Sequence, residues 1–181
     1  TPCEHSFPTR RSSDLEIAGL RETLGKFYKN IEKIEAPGTI EAGDIMMVGN
    51  HFYIGLSART NEAGANQMIN ILNKYDLQGS VVTLEKVLHL KTGLSYLENN
   101  NLLVAGEFAS SPIFSSFNKI KIDERESYSA NCIWVNGHVL VPSGYESTRK
   151  AIENLGYDVH VVDTSEFRKI DGGLRDRKSV V

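Results

Sequence analysis

Three times along this chain, two short apolar runs flank a cluster of turn-forming residues, and a helical or turn-rich stretch and one more strand-like run follow. Residues 44–48 and 52–57 are rich in Ile, Val and aromatics and flank Gly49-Asn50, which predicts a hairpin. Thr60 or Asn61 can cap a helix running to about Tyr75, with Met68, Ile69 and Leu72 on its apolar side, and residues 80–84 return as a buried strand. In the second occurrence, 94–97 and 102–105 flank Asn99-Asn100-Asn101, and a Pro-interrupted, weakly helical stretch at 108–117 precedes a strand at 119–122. In the third, 132–135 and 138–141 flank Asn136-Gly137, the strongest short hairpin signal present, followed by a helix over 145–155 and a strand over 158–162. A unit recurring every 40 to 50 residues or so is the signature of a repeat architecture. The expected fold is therefore α/β, a propeller-like ring of hairpin–helix–strand modules. A doubly wound parallel sheet also alternates helices with strands. It does not need a tight hairpin in every unit, however, and no G-x-G-x-x-G or G-x-x-x-x-G-K-[ST] string occurs.

Ahead of the first unit, Ile17, Leu20, Leu24 and Phe27 fall at helical spacing, predicting an amphipathic helix over 16–29. Residues 31–35 are a short strand candidate before the Pro37-Gly38 turn.

Charge and composition narrow the function classes. Twenty Lys and Arg against 23 Asp and Glu in 181 residues give a net charge of −3, which argues against a basic nucleic-acid or polybasic membrane surface. No apolar run approaches the roughly 20 residues of a membrane-spanning helix. Two cysteines, Cys3 and Cys132, make no disulfide framework, and the N-terminus lacks the apolar core of a signal peptide. A cytoplasmic protein is expected, with no nucleic-acid or membrane partner.

The two ends do not resemble the rest. The final DRKSVV can be encoded by GATCGGAAGAGCGTCGTG. The reverse complement of that string, read from its third base, encodes Arg-Arg-Ser-Ser-Asp, which is residues 10–14. One DNA string on opposite strands thus accounts for both tails, as translated sequencing adapter would. The expected division is a non-native tail at 1–15, a partial α/β-propeller domain at 16–174 and a second non-native tail at 175–181. The middle portion carries 15 basic and 20 acidic residues, and Cys132 is its single cysteine. Three modules do not close a propeller comfortably, so a longer parent is expected.

Three polar residues stand where a new module begins. Glu41 precedes Gly43-Asp44 at the first hairpin, His89 directly precedes the second, and Asp171 precedes Gly172-Gly173 after the last helix-like stretch, 166–170. Singly, Glu41 also suits a solvated loop carboxylate, His89 a hydrogen-bonded core histidine, and Asp171-Gly172-Gly173 a plain turn. In a ring of repeats, equivalent stations face one axis, so the three would converge on a central cavity. Cys132, set between apolar neighbours, is expected to be inert. Asn131 and His138 are read as structural, and no Cys/His spacing suggests a zinc site.

The strings IEAGD (40–44), GLSARTN (55–61), LHLKTG (88–93), ANCIWVNGHVLVP (130–142) and KIDGGL (169–174) occur in the order found in dimethylarginine dimethylaminohydrolases. The chain resembles that family, part of the guanidino-group-modifying (pentein) superfamily, over nearly all of 16–174. The resemblance implies a partial five-module α/β propeller and hydrolysis of a methylated arginine to citrulline and an amine, with no required metal or organic cofactor. It gives Glu41 the in-plane carboxylate that holds the guanidinium, a task suited to charge-assisted bonds with its N–H fork. His89 would protonate the leaving amine and then activate water. Arg59 would clamp the substrate α-carboxylate. Ile170, through its carbonyl, and Asp171 would contact the substrate.

Two departures qualify what the resemblance implies. Arginine deiminases usually place an aspartate two residues after the histidine; here that position is Lys91, as in the dimethylarginine group. The family's nucleophilic cysteine falls on Asp176, which cannot supply a thiolate, so the polypeptide as given is expected to be inactive. Within the enzyme class the alternatives are another guanidino hydrolase or an amidinotransferase of the same fold. Outside it, the alternative is a non-catalytic module binding arginine-like ligands. The oligomeric state is left open.

Overall fold

A computed structural model describes residues 20–169 and 172–174. The chain divides between Lys33 and Ile34 into two units. In the first, residues 20–24 are helical, and Gly25 and Tyr28 close the turn by donating to Arg21 O at 3.0 Å and Leu24 O at 2.8 Å. The helix expected to reach residue 29 gives way to this turn at Gly25, a poor helix former. Ile17 lies outside the described residues, and Leu20, Leu24 and Phe27 are exposed.

The strand expected over 31–35 does not form. Instead the side-chain amide of Gln67 takes the place of a neighbouring strand. Glu35 N–H donates to Gln67 Oε1 and Gln67 Nε2 donates to Glu35 O, both at 2.8 Å.

The described part of the second unit holds three separate three-stranded sheets. They are β1 (Ile45–Val48), β2 (His51–Leu56) and β3 (Gln78–Thr83); β4 (Leu94–Tyr96), β5 (Asn101–Val104) and β6 (Asn118–Lys121); and β7 (Ile133–Val135), β8 (His138–Pro142) and β9 (Asp158–Val162). In each, the first two strands form an antiparallel hairpin and the third runs parallel to the second. A parallel partner requires a crossover. Helix α1 (Glu62–Asn73) provides it in the first module and α2 (Glu146–Glu153) in the third, while α3 (Ser165–Arg168) follows β9. The recurring unit of hairpin, crossover and parallel strand is present, with a helix as the crossover in the first and third modules, and the described sheets do not merge into the single sheet a doubly wound fold would need.

Turn chemistry fixes the hairpins. Asn136 and Gly137 take φ of 51° and 84°, the left-handed pair that matches the twist of a two-residue hairpin loop. The middle module's turn lies at Glu98, Asn99 and Asn100, all with positive φ, one residue earlier than expected, and Asn101 begins β5. That module has short 3-10 turns, Gly106–Ala109 and Pro112–Phe114, in place of a helix. Proline lacks the donor that would extend a longer helix. Phe108, Phe114 and Phe117 supply the apolar cover instead.

Successive sheets pack face to face. Met46 and Val82 of the first join Leu94, Leu102 and Val104 of the second in one cluster, while Leu97 and Leu103 join Val139, Val141 and Ile152 of the third in another. Alternation along β5 therefore buries Leu102 and Val104 on one side and Leu103 on the other. Each such fully buried side chain stabilises the fold by about 1.5–3 kcal/mol. In β3 only Val82 is buried, because β3 is an edge strand; the expected buried strand is half-exposed.

Two polar devices fix the third module. Tyr157 hydroxyl accepts from Asn101 Nδ2 at 2.7 Å and donates to Glu98 O at 3.0 Å, tying it to the second. The first residue flanking α2, Tyr145, provides no side-chain cap. Glu126 caps the helix from a distance, accepting Thr148 N–H at 2.8 Å, Thr148 Oγ1–H at 2.7 Å and Ser147 N–H at 3.3 Å. Burial alone would raise the Glu126 carboxyl, but these bonds outweigh it and hold it below its ordinary value.

Candidate functional site

A short 3-10 turn leads into the first strand of each of the first two modules: Ala42–Asp44 before β1 and Leu90–Thr92 before β4. Glu41 and His89 are the residues immediately ahead of these turns, both extended, with φ, ψ of −117°, 134° and −141°, 155°. Each carbonyl accepts the N–H three residues on, from Asp44 and Thr92 respectively, at 3.0 Å. The two residues therefore occupy the same station in successive modules. In the third module the turn ahead of β7 is longer, Glu124–Ala130, and Asp123 stands ahead of it, its carbonyl accepting Glu126 N–H at 2.9 Å.

Asp44 links the two stations. Its carboxylate is wholly buried and accepts Ser57 Oγ–H and Thr60 Oγ1–H at 2.6 Å each on Oδ2. On Oδ1 it meets His89 Nδ1 at 3.0 Å and Leu90 N–H at 3.2 Å. Burial alone would raise this carboxyl, but the bonds from His89, Ser57 and Thr60, with the charge interaction with His89, outweigh it and hold the group below its ordinary value. An anionic partner at Nδ1 assigns the proton to that nitrogen and leaves Nε2 to exchange one. The ring is pinned from the other side as well. Gly43 lies so close that a Cβ there would sit 3.1 Å from His89 Cγ. The His89 side chain is 13% exposed, enough for Nε2 chemistry but little freedom.

The same network carries Glu41 and Arg59. Glu41 N–H donates to Thr60 Oγ1 at 2.9 Å, and Arg59 Nη1 lies 3.9 Å from Glu41 Oε2, both side chains about two-fifths exposed. Thr60, one of two candidate helix caps, is thus committed to the site. Asn61 does the capping, accepting Gly64 N–H at 2.8 Å. The loop before His89 is held by Glu107, which accepts N–H groups of Glu85, Lys86 and Val87 at 3.0–3.2 Å.

The structure brings Glu41, Arg59 and His89 to one end of adjoining modules. Ile170 and Asp171 lie outside the described residues. Their neighbours are anchored in the third module: Tyr128 hydroxyl donates to Gly172 O at 2.8 Å, and a Cβ on Gly173 would collide with the Asn131 side chain. A hollow of about 280 Å³ lies beside this anchor, lined by Tyr128, Tyr145 and Arg168 among others, and by none of Glu41, Arg59 and His89. Cys132 is fully buried in the core beside Leu97 and Val139. Asp44, Ser57 and Glu107 were not singled out from the sequence. Asp44 and Ser57 fall inside the family-like strings, whereas nothing local marks Glu107.

Residues 20–131 match the family model described as arginine deiminase. The chain belongs to that family. Within it, the chain is 66% identical over 165 residues to the N(G),N(G)-dimethylarginine dimethylaminohydrolase of Pseudomonas aeruginosa and 26% identical to that of Streptomyces coelicolor. A solved structure of the Pseudomonas enzyme, a Cys-to-Ser mutant complexed with citrulline, superposes with a TM-score of 0.85 at 65% identity, covering 91% of this chain and 64% of that one. The N-terminal domain of a cyanobacterial arginine dihydrolase shares the fold at a TM-score of 0.76 and 17% identity, covering 92% of this chain and 65% of its own. The chain spans about 64% of the length of its Pseudomonas relative. The propeller-like α/β modules of this arginine deiminase family member are those expected from the recurring turns. Among the described residues, no helix is long and apolar enough to cross a membrane.

Proposed function

We propose that residues 16–174 are part of a cysteine-dependent hydrolase that converts N-methylated arginine to citrulline and an amine. The observation that carries this is the pairing of equivalent stations. Glu41 and His89 precede matching turns of adjoining modules, and Asp44 fixes one ring nitrogen of His89. The 66% identity to a dimethylarginine dimethylaminohydrolase supports the methylated substrate. So does Lys91, at the position where arginine deiminases usually place an aspartate for a second guanidinium nitrogen.

An arginine-like zwitterion suits the loose Glu41–Arg59 contact, because at 3.9 Å and half-exposed it stabilises little. Ligand entry exchanges it for two better matched pairs, guanidinium on Glu41 and α-carboxylate on Arg59. In the proposed reaction a cysteine thiolate of the parent enzyme bonds to the guanidinium carbon. As the C–N bond to the amine breaks, His89 Nε2 delivers its proton to that amine. Nε2 then takes a proton from water as the hydroxyl bonds to the carbon and the S–C bond breaks, releasing citrulline. Ile170 and Asp171 are assigned to substrate contact. The cysteine position corresponds to Asp176, so we propose that the 181-residue polypeptide does not itself turn over substrate.

Extending the reading frame to the full gene and measuring citrulline release from dimethylarginine and from arginine tests the reading. Preference for dimethylarginine, abolished by His89→Ala and weakened in KM by Glu41→Gln, is the expected result. Preference for arginine would move the assignment to an arginine deiminase, and transfer of an amidino group to an amine would move it to an amidinotransferase. Ligand binding with no turnover by a complete gene lacking the cysteine would leave an arginine-binding module. The family model and the arginine dihydrolase fold keep the first of these alternatives in view.

A further inference from the structure

We propose that His138, Asp158 and His160 form a binding site for a divalent cation of the zinc class on the third sheet. The residues are remote in sequence, and the parallel register of β8 and β9 joins them: His138 pairs with Asp158 and Leu140 with His160. Residues 138, 158 and 160 then project from one face, while Val139 and Val141 enter the core on the other. In the sequence His138 reads as structural and no Cys/His spacing marks a zinc site, because the strand register and not sequence spacing brings these three side chains together.

The donor atoms already describe the face of a coordination polyhedron. His138 Nδ1 lies 2.8 Å from Asp158 Oδ2, His160 Nε2 lies 3.2 Å from His138 Nδ1, and His160 Nε2 lies 3.7 Å from Asp158 Oδ2. Ligands at about 2.0–2.1 Å around a tetrahedral Zn²⁺ stand roughly 3.3–3.4 Å from one another, and the three separations bracket that value. Two imidazoles and one carboxylate are a zinc-type donor set with room for water as a fourth ligand. Side-chain exposures of 45%, 63% and 55% leave an open path for the ion. The site is separate from the Glu41–His89 stations. His138 pairs with Val135 beside the Asn136-Gly137 turn, at the opposite end of its sheet from the segment that enters β7. A bound cation would clip the edge strand β9 to β8.

Titrating the metal-free full chain with Zn²⁺ alone, followed by calorimetry and thermal melting, tests this. The expected result is one ion per chain and a Tm raised by Zn²⁺. His138→Ala and His160→Ala should each weaken binding by about tenfold or more, and the double variant should lose the Tm response. Because the side chains are exposed, an unchanged circular dichroism spectrum serves to confirm that the variants fold. Zn²⁺ binding of undiminished affinity in the double variant, or no binding by the parent chain at micromolar protein, overturns the proposal.

Discussion

The molecule contains the same pair of residues in two surroundings. Asp44 meets His89 Nδ1 at 3.0 Å, and Asp158 meets His138 Nδ1 at 2.8 Å. By distance the second is the closer contact. By burial the order is reversed: the first pair is 0% and 13% exposed for Asp and His, the second 63% and 45%. Asp44 also accepts from two hydroxyls and a backbone N–H, so its charge is solvated by the protein, whereas Asp158 faces water. Contact length therefore says little about what a pair contributes; the supply of donors and the exclusion of solvent decide it.

That contrast can be broken most forcefully at Asp44. Asp44→Ala should cost about 3–5 kcal/mol in urea denaturation, since it strands buried donors on Ser57, Thr60, Leu90 and His89. Asp44→Asn keeps the shape and should cost about 1–3 kcal/mol, and it should also flatten the acid limb. The native carboxyl sits below its ordinary value of 3.8, so the stability it supplies is fully present above that pH and is lost as pH falls through the lower native value. Denaturation curves from pH 6 down to about 2 should show a steeper loss in the parent than in the Asn variant, in which the lowered carboxyl of Glu126 still contributes an acid limb.

Glu126 sharpens the comparison as an intermediate case, half-buried and receiving two backbone N–H groups and a hydroxyl. Glu126→Ala should cost about 1–2 kcal/mol, with the earliest hydrogen-exchange losses in α2. Smallest of all, Asp158→Ala without metal should change stability by about 1 kcal/mol or less, and 0.5 M salt should erase most of the difference. A large effect there would overturn the ordering by environment.

Much of this fold was legible in advance because turn residues are local. Asn136-Gly137 and Gly49-Asn50 announce hairpins by backbone conformation alone, and β9 falls on residues 158–162 as expected. The strand at 31–35 was misread because apolar alternation does not reveal that a Gln67 amide takes the partner's place. Of the candidate site, Glu41 and His89 are singled out by their position in the repeat and Arg59 by its family-like string, and the structure brings the three to one end of adjoining modules. The buried network behind them is not singled out, since Asp44, Ser57, Thr60 and Glu107 act through hydrogen bonds to residues 13 to 46 positions away. Short polar residues at such separations carry no periodicity.

Sheet hydrogen bonding in this molecule closes three strands at a time, and neighbouring modules meet through side chains. The seams between the described sheets therefore carry no ladder hydrogen bonds. Asp44 reaches across the first seam to the histidine and to the peptide beyond it, as a pivot pin would. Small rotations about that pin would change the gap between Glu41 and His89 without breaking a strand pairing within either sheet.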